Sequence, residues 1–226
     1  GGFSVDLLPS IEQETRPNPD ATVIWLHGLG ADGYDFAPIV PELNLPESLA
    51  IRFIFPHAPS IPVTVNNGFV MPAWFDIMEM EIDRKIDSKQ LLISAAAIAR
   101  YVDRELARGI DSRRIILAGF SQGGAVAYQV GLSYPKPLGG LIAMSTYFAT
   151  SDSIELNQAN LGLPIEIYHG LYDPVVPQVL GIRAADFLKN RSYAVSFRTY
   201  PMEHAVCPQQ IGHISEALQR FLIGES

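Results

Sequence analysis

The sequence predicts an α/β fold, a mostly parallel central sheet with helices on both faces, on three observations. Short apolar, β-branched runs recur at 21–27, 51–55, 113–118, 138–144, 164–168 and 194–200. Amphipathic stretches with helical spacing fall between them, so strand and helix alternate from residue 21 to the end. The chain's 226 residues, 48% hydrophobic and 18% charged, are enough for one sizeable core and too few for two comfortable ones. Residues 1–226 are read as a single domain.

Each element has a local reason. Uninterrupted apolar runs of this length suit strands covered on both faces, as in a parallel sheet. The run ending at residue 55 leads into an irregular connection, 56–76, marked by Pro56, Pro59, Pro62, Pro72 and Asn66-Asn67-Gly68. Such a connection is either a binding-site wall or a small hairpin packed for stability. Leu91, Ala95, Ile98, Val102 and Leu106 then recur at steps of three and four, the stripe of a helix lying on a sheet. A helix fits 122–134 and stops at Pro135, and another fits 178–189. The last runs from Pro208 through Ile211, Ile214, Leu218 and Phe221, with the proline in the first turn where its missing N–H costs nothing. No internal repeat is present.

Charge narrows the partners. Sixteen Lys and Arg face 24 Asp and Glu, a formal charge of −8, and no basic cluster exceeds the pairs Arg84-Lys85 and Arg113-Arg114. Phosphate backbones and anionic membranes are bound through positive charge, so neither nucleic acid nor stable membrane insertion is expected. The first basic residue is Arg16 and no run approaches ~18 apolar residues, which predicts neither a signal peptide nor a membrane span and points to the cytoplasm. A single cysteine, Cys207, excludes an intrachain disulfide and a multi-Cys metal centre. The five histidines form no i, i+4 pair, so no metal and no cofactor are expected.

The chemistry concentrates at strand exits. Gly119-Phe120-Ser121-Gln122-Gly123 lies between a buried strand and a helix. A sharp turn there strains Ser121 so that its hydroxyl stands above the sheet, and side chains at 119 and 123 would collide with backbone. The helix beginning at Gln122 directs free N–H groups and the positive end of its dipole to the same spot. A serine hydroxyl is a poor nucleophile unless a histidine takes its proton and a third group holds that histidine. In α/β-hydrolases the order is Ser, then acid, then His. Asp173, at a strand exit, fits the acid better than Asp152 or the helical Asp186, and His204, in a loop after the last strand, fits the base better than His213 within the last helix. His27-Gly28-Leu29-Gly30 follows the first strand and supplies a second backbone donor, so Leu29 and Gln122 form the expected oxyanion hole. A dinucleotide loop, the competing reading of Gly28, Gly30 and Gly33, lacks an acidic residue at the end of the next strand, where Phe55-Pro56 stands.

With 27–33, 119–124, 173–177 and His204 in place, the chain resembles the acyl-protein thioesterase and small bacterial carboxylesterase family over roughly residues 17–223. The likeness extends to Pro56-His57-Ala58-Pro59 and Trp74-Phe75-Asp76. It implies an α/β-hydrolase fold with no large lid domain, catalysis by Ser121, Asp173 and His204, oxyanion donors at Leu29 and Gln122, and an acyl groove lined by Met71 and Trp74. One departure is visible: family members carry glycine before the catalytic histidine, whereas Glu203 precedes His204.

The expected reaction is cleavage of a carboxylic ester or thioester through an acyl-enzyme. A lysophospholipase-type activity and a catalytically silent hydrolase-fold binding protein are the alternatives. Substrates of the right chemistry are a small-molecule ester, a lysophospholipid or an acylated protein. The low charged fraction is compatible with a homodimer.

Overall fold

The computed structural model describes residues 7–224. In chain order the elements are β1 (Ser10–Glu14), β2 (Ala21–Leu26), the short α1 (Ile39–Glu42), β3 (Ile51–Pro56), β4 (Ser60–Val63), β5 (Phe69–Pro72), β6 (Ile77–Glu79), β7 (Lys85–Ile86) and α2 (Ser88–Ala107). They continue with β8 (Ile115–Phe120), α3 (Gln122–Ser133), β9 (Gly140–Met144), β10 (Ile165–Gly170), α4 (Gln178–Lys189), β11 (Val195–Tyr200) and α5 (Pro208–Ile223).

Seven strands form one sheet in the order β1-β3-β2-β8-β9-β10-β11. All neighbours run parallel except β1, which pairs antiparallel with the outer edge of β3, Ser10 opposite Pro56 and Glu14 opposite Arg52. The expected α/β-hydrolase architecture is therefore present, with β1 as an addition. Ser10–Glu14 is polar and alternating, so it carries no apolar run. Its pairing partner is one of the longest apolar strands in the chain.

Alternation along the buried strands divides the interior in two. From β2, Ile24 and Leu26 face one apolar cluster, while Ala21, Val23 and Trp25 face the other. The first cluster takes the inner faces of α2, α3 and α4, including Leu91, Ala95, Ile98 and Val102 of the predicted stripe. The second takes Ile39 from α1 and Ile214, Leu218 and Leu222 from α5. Asp87 caps α2 by accepting the Gln90 N–H at 3.0 Å.

The connection at 56–76 resolves into a hairpin, β4 paired antiparallel with β5. Its turn passes through Asn67 at φ 58°, a left-handed conformation that asparagine tolerates. A second, smaller hairpin joins β6 and β7. Among the described residues no helix is long and apolar enough to cross a membrane.

The topology also fixes where a site belongs. After β2 the chain crosses to β3 on one side, and after β8 it crosses to β9 on the other. Where successive connections part in this way, a crevice opens beyond the carboxyl ends of the two strands. The segments following β2 and β8 are His27–Gly33 and the Gly119–Gly123 turn.

Candidate active site

Ser121 occupies the turn from β8 into α3 at φ 55°, ψ −121°. For a non-glycine residue this is a strained conformation, held only when the surroundings over-determine it. They do so here: Ser121 N–H donates to Met144 O at 2.9 Å, and its own carbonyl accepts the Thr146 hydroxyl at 2.5 Å and the Gly124 N–H at 2.9 Å. The two outer glycines are required by close approach. A Cβ on Gly119 would stand 2.4 Å from Gly123 O, and one on Gly123 would stand 2.5 Å from Leu26 O. The second collision is with the neighbouring strand and not with the turn, so Gly123 lets α3 start tight against the end of β2.

Asp173 follows β10 and is 6% exposed. One carboxylate oxygen accepts the Val175 N–H at 2.9 Å and the Val176 N–H at 2.8 Å, while the other accepts the His204 Nδ1–H at 2.6 Å. Burial alone would raise its pKa. The bonds from His204 and the two amides outweigh that and hold the carboxyl below its ordinary value, so it stays ionised. His204 sits in the loop after β11, its ring packed on Phe120 at 4.7 Å. A second imidazole lies behind the carboxylate: His169 Nε2 donates to Val176 O at 2.7 Å and stands 3.7 Å from Asp173 Oδ2. Burial lowers the His169 pKa, so the ring is neutral and braces the loop on which Asp173 sits.

Glu203, the departure from the family pattern, meets no backbone obstacle. The non-glycine residues with positive φ among those described are Asn18, Asn44, Asn67, Ser121, Ser145 and Ser192. Position 203 is not one of them, so its backbone makes no demand for glycine.

Ser121, His204, Leu29 and Gln122 line one cavity of about 250 Å³. Asp173 reaches it through His204. Among the described residues neither the Leu29 nor the Gln122 N–H donates to a backbone carbonyl. Two donors at a helix start and a facing loop, beside a serine at the topological switch point, suit an oxyanion.

Trp74 and Met71 do not take their expected places on that cavity's wall. Trp74 is 1% exposed, with its indole N–H bonded to His27 O at 2.8 Å and its backbone N–H to Gln122 Oε1 at 2.7 Å. The Gln122 amide in turn donates to Phe75 O at 2.6 Å. Trp74 is thus a core residue that ties the loop after β2 to the start of α3, and so holds Leu29 and Gln122 in relation to each other. Met71 lies on β5, half-buried, its sulfur accepting the Asn66 side-chain N–H at 3.4 Å. The apolar wall comes instead from Ile77, Met80, Val175 and Val176, with Tyr147 and Arg84 beside them.

His27 is buried and neutral. Its Nδ1 donates to Gly28 O at 2.7 Å and its Nε2 accepts the Ala58 N–H at 3.0 Å, which fixes the tautomer, and burial lowers its pKa. It shapes the loop that carries Leu29.

Comparison with known proteins assigns the chain a family. The family model for phospholipases and carboxylesterases matches residues 8–222. The chain belongs to the phospholipase/carboxylesterase family. Similar relatives include an acyl-protein thioesterase 1 of Gibberella zeae, 35% identical over 96% of this chain and 94% of that protein. Another, from Schizosaccharomyces pombe, is 41% identical over 75% of this chain and 76% of its own. Among solved structures, acyl-protein thioesterase 2 of Zea mays superposes with a TM-score of 0.82 at 28% identity, covering 94% of this chain and 99% of the other. A member of this family with this fold is a hydrolase acting on ester bonds.

Proposed function

We propose that Ser121, His204 and Asp173 form the catalytic triad of a serine hydrolase that cleaves carboxylic esters and thioesters, on small molecules or on acylated proteins. Ser121 Oγ attacks the carbonyl carbon while His204 Nε2 accepts the hydroxyl proton. Asp173 holds the Nδ1–H and stabilises the imidazolium that results. The Leu29 and Gln122 N–H groups bind the developing oxyanion. As the tetrahedral intermediate collapses, His204 returns the proton to the leaving alcohol or thiol. Water then repeats the sequence on the acyl-enzyme, releasing the acid and restoring the serine. The thioester half of the reading draws on the names of the relatives from Gibberella zeae and Schizosaccharomyces pombe. The same reading takes residues 1–226 as one catalytic domain working in the cytoplasm.

The observation that carries this reading is the 2.6 Å bond between His204 Nδ1 and a buried Asp173, with the imidazole and Ser121 on one cavity wall. Ser121→Ala lowers kcat on a short-chain nitrophenyl ester by at least about 10³-fold, with the melting temperature retained. Activity within tenfold of the wild type would refute the nucleophile, and a wild type with no turnover on esters or thioesters would favour a silent binding protein.

A further inference from the structure

The β6–β7 hairpin brings Arg84 to a partition. On one side lies the cavity of about 250 Å³ that holds Ser121 and His204, and on the other a second cavity of about 440 Å³ lined by Phe148, Leu180 and Phe187. Arg84 and Tyr147 line both. The guanidinium carbon stands 5.0 Å from the centre of the Tyr147 ring, and Nη2 donates to Val175 O.

Two polar atoms of this partition are left over. Arg84 Nε and the Tyr147 hydroxyl are buried and have no hydrogen-bond partner. Arg52, Arg104 and Arg220 are also half-buried, and each pairs with a carboxylate; Arg100 shares an unpartnered Nε but lines neither of these cavities. Among the described residues Arg84 forms no ion pair. The charged residues on the cavity that holds Ser121 are Arg84 and an exposed Asp35.

A half-buried cation with an unpaired N–H is costly unless something supplies the missing acceptor. Burial indeed lowers the Arg84 pKa, against the opposing influences of Tyr147 and Asp173. The acceptor that suits a guanidinium is a carboxylate or phosphate, whose paired oxygens match its fork of donors. A neutral acyl chain would leave both buried atoms unpaired.

We infer that Arg84, assisted by the Tyr147 hydroxyl, binds an oxyanion carried by the substrate, a carboxylate or a phosphate, beside the ester bond that Ser121 attacks. This rests on the hydrolytic reading above and narrows its substrate class to anionic esters or thioesters. The oxyanion belongs either to the far end of the acyl group or to the alcohol released.

The test is a ratio of kcat/KM values within each variant, which loss of folded protein does not move. On the acyl side it compares the nitrophenyl monoester of adipic acid with nitrophenyl hexanoate. On the alcohol side it compares 1-acylglycerol 3-phosphate with the matching 1-acylglycerol. Arg84→Gln lowers the anionic-to-neutral ratio by about tenfold or more in one of the arms, the scale of a lost charge-assisted hydrogen bond. The arm that responds identifies the source of the oxyanion. Tyr147→Phe lowers the same ratio less, and it carries the test if Arg84→Gln does not fold. Ratios within twofold of wild type in both arms overturn the anion site and leave the hydrolase reading standing. A wild type inactive on all four substrates overturns the hydrolytic reading and this inference with it.

Discussion

Replacing Asp173 with asparagine changes charge at one buried position while keeping shape. Two backbone amides, from Val175 and Val176, converge on Oδ1 at 2.9 and 2.8 Å, so the asparagine carbonyl must take that place. Its NH₂ then occupies the position of Oδ2 and faces His204 Nδ1, where a donor stood 2.6 Å from an acceptor. Two donors cannot share that contact. The imidazole relieves it by moving its proton to Nε2, the nitrogen that in the proposed mechanism takes the proton of Ser121, and the base is disabled by the wrong tautomer. In a serine triad this costs about 10⁴-fold in turnover, or ~5 kcal/mol of transition-state stabilisation. Since the loop amides keep their acceptor, the fold loses no more than about 1–3 kcal/mol, the difference between a charged and a neutral partner. The assay is kcat on a nitrophenyl ester, with KM and a thermal melt on the same preparation. A fall in kcat of less than tenfold in a folded protein would show that His204 does not depend on Asp173.

Other consequences follow from the residues around the triad. Gln122→Ala removes both side-chain bonds that clamp Trp74 N–H and Phe75 O, leaving two buried groups unpaired at about 1–3 kcal/mol each, so the melting temperature falls by roughly 4–24 °C. A melt within 2 °C of wild type would mean the clamp is not formed. His27 and His169 both have pKa values lowered by burial from the ordinary 6.5, so below that pH the unfolded chain binds protons that the folded chain refuses. Stability is therefore fully present above about pH 6.5 and falls on acidification, by up to ~1.4 kcal/mol per pH unit for each ring that stays neutral. Denaturant unfolding at pH 7.5 and 5.5 checks this, and equal stabilities would contradict it. Asp173 adds loss in the same direction lower down, as pH drops through its ordinary value of 3.8 towards its depressed folded value.

What could be read from the sequence depended on whether the signal was local. The runs at 21–27, 113–118 and 164–168 became β2, β8 and β10 because strands covered on both faces write their burial into consecutive residues. Ser121, Asp173 and His204 are legible as candidates for a related reason: each follows a strand, and the order of strands fixes which exits meet. β1 has no such signature because Ser10–Glu14 holds a single inward apolar side chain of note, Ile11, and depends on β3 to exist as a strand. Trp74 is placed on the groove by the family resemblance alone, and nothing local in the sequence signals that it is buried. Its burial is decided by His27 and Gln122, 47 and 48 positions away. Arg84 in sequence is half of a short basic pair. Only the folded hairpin sets it between two cavities, with Tyr147 beneath its guanidinium.

A hydroxyl made reactive by a neighbouring imidazole should declare itself to an electrophile that spares ordinary serines. Treatment with a fluorophosphonate, followed by mass analysis of the peptides, is predicted to give one adduct, on Ser121, formed at least about 10³-fold more slowly in His204→Ala. Modification at another residue, or a rate on Ser121 that His204→Ala leaves unchanged, would contradict the account.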